Sequence, residues 1–256
     1  MIGLLLALYP AHWRRRYGEE FRAVLESRPL GPFDVADIFL GALDARLTPR
    51  RLPGTASGGH LMVLRIGGFG AVFGGIAWFI GIAVSSGIGG DGGRPWVGLM
   101  LLGTVGLLVA LIGLSAFQGH RDPTLAWIAV VIPGAGALVS AIGIAGMLAL
   151  PENGSVLGLW SPWDLWILGM FTNLVGSMFF AIATYQARVL STRAARALGM
   201  TSGASLIVAI GAFGAPAFSD LVLTAEVLVI GAFAGSWVWL GLSALRRGPI
   251  RAIASA

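Results

Sequence analysis

Few side chains in this 256-residue chain have the chemistry for catalysis or ligand binding. There is no cysteine, which excludes disulfides, thiolate nucleophiles and cysteine metal sites. His12, His60 and His120 are scattered without ligand spacing, so no metal site is expected. No serine has a base and an orienting acid near it in sequence, and there is no phosphate-binding loop with its lysine. Gly67-Gly68-Phe69-Gly70 lies in an apolar run and lacks that lysine. The expectation is a protein without catalytic residues or cofactor. What remains is a carboxylate inside an apolar run. Glu226 lies five residues past Leu221, about 7–8 Å along a helix. Intramembrane acids are costly and often carry ions or protons. Two plainer readings compete: Glu226 reaches the interface, or it pairs with Arg94. Thr172 and Asn173, deep in another apolar run, could join a polar cluster with Glu226 or simply hydrogen-bond between helices.

The elements that must position these groups are membrane helices. A hydrophobic fraction of 56% with only 11% charged residues belongs to a polytopic membrane protein, and 39 glycines suit close helix contact. Six spans are expected: Met62–Ser85, Pro95–Phe117, Thr124–Leu150, Asp164–Gln186, Ser202–Phe218 and Leu221–Leu245. The fold class is therefore all-α, with a six-helix transmembrane domain over 61–256. Gly67, Gly70 and Gly74, Gly143 with Gly146, and Gly231 with Gly235 place small residues on helix faces, as ordinary close packing requires. Ser161-Pro162 followed by Asp164 has the spacing of a helix cap, and Asp220 opens the last span. Trp96, Trp160, Trp163 and Trp166 mark the outer interface.

Arginine placement orients the spans. The charge of +5 comes from 17 arginines and no lysine. Eight lie at or before Arg51, Arg121 follows the second span, Arg188, Arg193 and Arg196 follow the fourth, and Arg246, Arg247 and Arg251 close the chain. The opposite loops hold Arg94 alone. The positive-inside rule then makes both termini cytoplasmic. The arginines flank hydrophobic spans, so anionic lipid is their counterpart and direct nucleic-acid binding is not expected.

Before the spans lies a different kind of sequence. Residues 1–50 are expected to be a cytoplasmic pair of short amphipathic helices, and 51–60 a linker. Met1 to Leu8 is apolar but too short to cross a bilayer. From Pro10 onward, Trp13, Tyr17, Phe21 and Val24/Leu25 recur on one face, with Arg15/Glu19, Arg16/Glu20 and Arg22/Glu26 on the other. After Gly31-Pro32, a second stripe runs through Val35, Ile38, Phe39, Ala42, Leu43 and Leu47. The run Tyr9-Pro10, Trp13-Arg14, Arg16-Tyr17-Gly18-Glu19-Glu20-Phe21, followed by a second helix ending DARLTPR, resembles the permease prefix of bacterial membrane proteins. Those proteins include some export permeases and small proteins associated with PadR-type transcriptional regulators. The resemblance covers roughly the first fifty residues. It implies a bacterial inner-membrane protein whose prefix docks a PadR-type regulator or an ABC exporter subunit. Tyr9, Trp13, Arg14, Arg16, Tyr17, Glu20 and Phe21 are the residues expected at that contact, with Tyr9 and Trp13 left uncovered by the helix pair.

Two classes of function follow. One is a non-enzymatic regulatory or accessory subunit acting through the prefix, alone or as a homo-oligomer. The other is a small transporter, channel or export-permease component that uses the six helices, Glu226 and their glycine-rich faces.

Overall fold

The structure is a computed structural model, and it describes residues 2–26, 31, 38, 42, 58–85, 94–116, 123–151, 154–214 and 220–246. The chain divides into two compact units, Met1–Thr55 and Ala56–Ala256.

In the first unit, α1 (Ile2–Ala7) and α2 (Ala11–Glu26) are joined by a tight turn. Leu8 and Tyr9 N–H groups donate to Leu5 and Leu6 carbonyls, and Arg14 N–H donates to the Pro10 carbonyl at 3.0 Å. Proline suits that place, because the first N–H groups of a helix have no partner inside it. Ile38 and Ala42 have helical backbone and are buried four residues apart, on one face as their stripe requires. Val35, Phe39, Leu43 and Leu47 lie outside the described residues.

The second unit holds six helices long and apolar enough to cross a membrane. They are α3 (Gly58–Ser85), α4 (Arg94–Ser115), α5 (Pro123–Ala149), α6 (Pro162–Ala187), α7 (Thr192–Gly214) and α8 (Asp220–Leu245). No β-strand occurs among the described residues, and the protein is an all-α, multi-pass membrane protein. Each helix packs on its neighbours in sequence, and α8 returns against α3, so the six close into a ring. Successive helices run antiparallel, as the glycine and hydroxyl contacts between them require. Trp237 stacks on Phe180 in the interior, with ring centroids 5.3 Å apart, and Trp78 meets Phe233 edge-on at 5.6 Å. All four are buried, so the centre of the ring is filled by side chains.

Small residues decide which helices touch most closely. Gly67, Gly70 and Gly74 of α3 face Gly113, Gly106 and Gly103 of α4, where a β-carbon on Gly74 would lie 2.6 Å from the Leu107 nitrogen. In the α5–α6 pair, Gly136 faces Gly169 and Asn173, Gly143 faces Trp166, and Gly176 rests on Pro133. Lipid gives helices no hydrophobic reason to associate, so backbones come together where side chains are absent. Gly231 meets the Phe79 ring, whereas a β-carbon on Gly235 would have nothing within 4 Å, so its expected packing role is not found. The α7–α8 contact is built differently. Thr201 donates to Ser236 Oγ at 3.2 Å, and Ser205 donates to the Val229 carbonyl at 3.4 Å.

Two boundaries differ from the sequence expectation. Helix α3 begins at Gly58, inside the expected linker. The fifth span covers Thr192–Gly211, not Ser202–Phe218. Arg188 adopts a left-handed φ of 52° and ends α6; Ser191 Oγ then accepts from the Ala194 N–H at 3.3 Å and starts α7. Arg193 and Arg196 therefore lie on a helix and not in a loop, with their heads exposed. Arg196 Nη2 donates to the Tyr185 hydroxyl at 3.3 Å and its guanidinium lies over that ring. Long basic side chains can stay on a helix this way, with the charge reaching the interface. The helix itself continues to Gly214, and Pro216 and Phe218 lie outside the described residues.

Candidate functional site

Glu226 stands at the N-terminal end of a heptad-spaced stripe on α8, followed by Ile230, Phe233, Trp237, Leu240 and Ala244, and those five are buried. That register puts Glu226 on the helix face turned to the ring interior, where its side chain is half-buried. It lines a crevice among four helices, with Trp78 from α3, Met170 and Leu174 from α6, and Ser205 and Ala209 from α7. The space admits about one water molecule. Glu226 and Ser205 are its polar lining residues, and the Ser205 hydroxyl is directed at the Val229 carbonyl. A carboxylate, a hydroxyl and one water can hold or pass a proton. They are too few oxygens to replace the shell of a dehydrated divalent cation. Among the described residues, no group of three or more His, Cys, Asp or Glu side chains could hold a metal ion.

The expected polar cluster does not assemble. Asn173 Oδ1 accepts from Ser177 Oγ at 3.1 Å, and the Asn173 backbone lies against Gly136 of α5. Thr172 donates to the Leu168 carbonyl of its own helix. It is Met170 and Leu174, on another face of α6, that reach the crevice. The Arg94 side chain lies outside the described residues, and only its place at the start of α4 is known. The sequence reading also passed over Ser205, which no motif marks.

Most hydroxyls inside the ring are satisfied locally. Thr104, Thr184 and Ser202 donate to carbonyls four residues earlier at 2.9, 2.7 and 2.6 Å, and Ser115 does the same to Leu111. Helices in an apolar medium satisfy stray polar groups this way, so these hydroxyls do not form a continuous polar file. The indole nitrogens of Trp166 and Trp237 are buried without a partner among the described residues. The Trp166 side chain is half-buried against the core with its N–H enclosed, unlike an interface tryptophan whose N–H reaches water, and its backbone lies against Gly143. The cap at Ser161 forms as its spacing implies: Asp164 N–H donates to Ser161 Oγ at 3.0 Å, and that hydroxyl donates to Asp164 Oδ2 at 2.7 Å.

In the N-terminal unit, the residues expected at a docking surface divide. Tyr9 is not uncovered. It is 6% exposed, packs with Leu5, Leu25, Ile38 and Ala42, and donates its hydroxyl to the Ile38 carbonyl at 3.2 Å. Burial pushes its phenol pKa above the ordinary value. Trp13 stacks on Tyr9 with centroids 4.0 Å apart, and Phe21 closes edge-on against both. Trp13, Tyr17 and Phe21 are half-buried in that aromatic cluster, while Arg14, Arg15, Glu19, Glu20 and Arg22 are exposed. The Arg16 side chain lies outside the described residues. The aromatics thus build the unit, and the charges face outward. Physically, two or three short helices cannot spare large aromatics from so small a core.

Comparison of the chain with protein-family models, with curated proteins and with solved structures returns no match.

Proposed function

We propose that this chain is a non-enzymatic subunit of a bacterial inner membrane, regulatory or accessory in role, whose N-terminal unit docks a soluble or membrane partner. The observation that carries this reading is the contrast between the two units. The ring of six helices is filled at its centre by Trp237, Phe180, Phe233 and Trp78, and its crevice admits about one water. The N-terminal unit, by contrast, closes its own aromatic core and leaves a helix face of mixed charge exposed. Mixed charge favours a protein surface of complementary pattern over plain attraction to anionic lipid, which rewards arginine alone. The resemblance of residues 1–50 to the permease prefix supports the same partner class, a PadR-type regulator or an ABC exporter subunit.

Arg65, Arg188, Arg193, Arg196 and Arg246 cluster toward one end of the ring, the end where α3 starts and α8 stops. By the positive-inside rule that end is cytoplasmic and both termini lie inside. The test is charge reversal that spares the aromatic core: Arg14→Glu with Glu20→Arg, in the full chain co-expressed with a PadR-type regulator and with an ABC exporter subunit from the same genome. Co-purification should be lost while the six spans still insert. Equal recovery of the partner by wild type and variant would overturn docking through this face, and salt-sensitive attachment to anionic vesicles with no protein partner would replace it with leaflet binding.

One observation favours a second reading, a small transporter or channel: Glu226 faces the ring interior beside a water-sized crevice. On that reading, Glu226→Gln abolishes proton or cation flux into liposomes while leaving the melting temperature in detergent nearly unchanged. Wild-type liposomes no leakier than empty ones would end it.

A further inference from the structure

Between α5 and α6 the chain makes a small hairpin that the packing of the ring does not explain. Val156 N–H donates to the Trp160 carbonyl at 2.8 Å, and the Leu159 and Trp160 N–H groups return to the Val156 carbonyl at 3.2 and 3.3 Å. The turn is tight, with φ of 55° at Leu157 and 69° at Gly158. Glycine is at ease there; leucine rarely adopts such a backbone. Yet the leucine at that position is 90% exposed, Leu159 is 80% exposed, and Trp160 and Trp163 are half or more exposed. The hairpin is seated by Val156, whose side chain packs toward Gly146 of α5. Among the described residues, nothing covers its apolar tip.

We propose that this hairpin is an interfacial anchor, dipped into the lipid leaflet at the end of the ring opposite the arginine cluster. Three observations fit that occupant. Residues 154–163, GSVLGLWSPW, carry no charge, so nothing in the tip resists leaving water. The backbone of the hairpin bonds to itself across Val156 and Trp160, as a non-helical segment in an apolar medium must. The tip is also continuous with an established lipid surface, because the span Pro162–Ala187 begins two residues after Trp160, with Trp163 exposed on its first turn. Tryptophan at that level, with leucines beyond it, is the ordering expected across a headgroup boundary. The first charge beyond the tip, Asp164, is held by Ser161 at the helix start, where it can stay at the wet side of that boundary.

The chain has no native cysteine, so Leu157→Cys, Leu159→Cys, Ser155→Cys and Ile207→Cys each give one spin-label site in the full protein. In nanodiscs of phosphatidylethanolamine and phosphatidylglycerol, collision with oxygen is compared with collision with a water-soluble nickel chelate. Ile207, 72% exposed on α7 within its span, is the lipid reference, and free spin label in buffer is the water reference. Labels at 157 and 159 should show an oxygen-to-nickel ratio several-fold above that of the free label and close to that at 207, with 155 at or below them. A ratio at 157 as low as that of the free label places the tip in water and overturns the proposal. Shielding from both reagents overturns it too, because a second copy or another protein then covers the tip. Should the label at 157 disturb the turn, Leu157→Asn, whose side chain tolerates the left-handed backbone, carries the label at 159 with the same two outcomes.

Discussion

Replacing Gly176 with alanine tests the packing of the ring at one of its tightest points. A β-carbon there would lie 2.2 Å from the Pro133 nitrogen and 2.5 Å from its Cα and Cδ, in the middle of α5. Ordinary contact begins at 3.4 Å, so α5 and α6 must separate locally by about 1.2 Å. The proline ring has no rotamer to turn aside, and the neighbouring contacts through Gly136, Gly169 and Gly143 loosen together. A gap of only about 0.5–1 Å already forfeits a quarter to a half of each dispersion contact it opens, and overpacking costs about 1–3 kcal/mol. In a soluble helix the better propensity of alanine would return up to ~1 kcal/mol. Here the helices stay helical in lipid even when apart, so little of that returns. The net loss should be about 2 kcal/mol, or roughly 4–8 °C of melting temperature at 2–4 °C per kcal/mol. Size-exclusion recovery of detergent-solubilised protein after heating measures it. Gly235→Ala is the control, because nothing lies within 4 Å of its β-carbon. A Gly176→Ala protein that melts with the Gly235→Ala control would refute close α5–α6 contact.

Three further outcomes are expected. Ser161→Ala removes the acceptor that holds Asp164 N–H and should cost about 1 kcal/mol, seen as a lower melting temperature that Ser161→Asp largely restores. Tyr9→Phe removes a buried hydrogen bond worth about 0.5–1.5 kcal/mol, and the difference in tyrosinate absorbance from wild type isolates the Tyr9 titration. Because burial raises that pKa above 10.0, the phenol should ionise above pH 10, and its contribution to the N-terminal unit is present below that pH and lost as pH rises through the folded value; a component titrating at or below 10 contradicts the burial. For topology, single cysteines at Asn153 and Asp91 should react with an impermeant maleimide from outside intact cells, and one at Arg193 should not; labelling of Arg193→Cys would reverse or break the assigned orientation.

Much of this protein is determined by local composition. Six apolar runs fix the class, because a bilayer imposes one length and one polarity on every helix that crosses it. Five spans fall within three residues of their expected ends. The sixth case, α7, shows the limit of that reasoning: hydropathy treats Arg193 and Arg196 as loop, whereas a long side chain lets a helix keep an arginine and send its charge elsewhere. The Ser161 cap was equally legible, since both partners lie within one turn.

What only tertiary structure decided is which surfaces meet. Glycines were visible on single helices, but their partners, Gly103, Gly106 and Gly113 on α4 and Gly169 and Gly176 on α6, depend on the choice of neighbour. A seven-residue spacing, as from Gly106 to Gly113 and from Gly169 to Gly176, was the one signal that could have marked them. The fate of Tyr9 was likewise invisible, because a local stripe does not say whether its edge faces water or the side chain of a residue 29 positions away. Asn173 and Glu226 are both polar residues in apolar runs, yet one accepts from Ser177 of its own helix and the other lines the crevice. Helical periodicity places a residue on a face; only the closure of α8 onto α3 determines what that face sees.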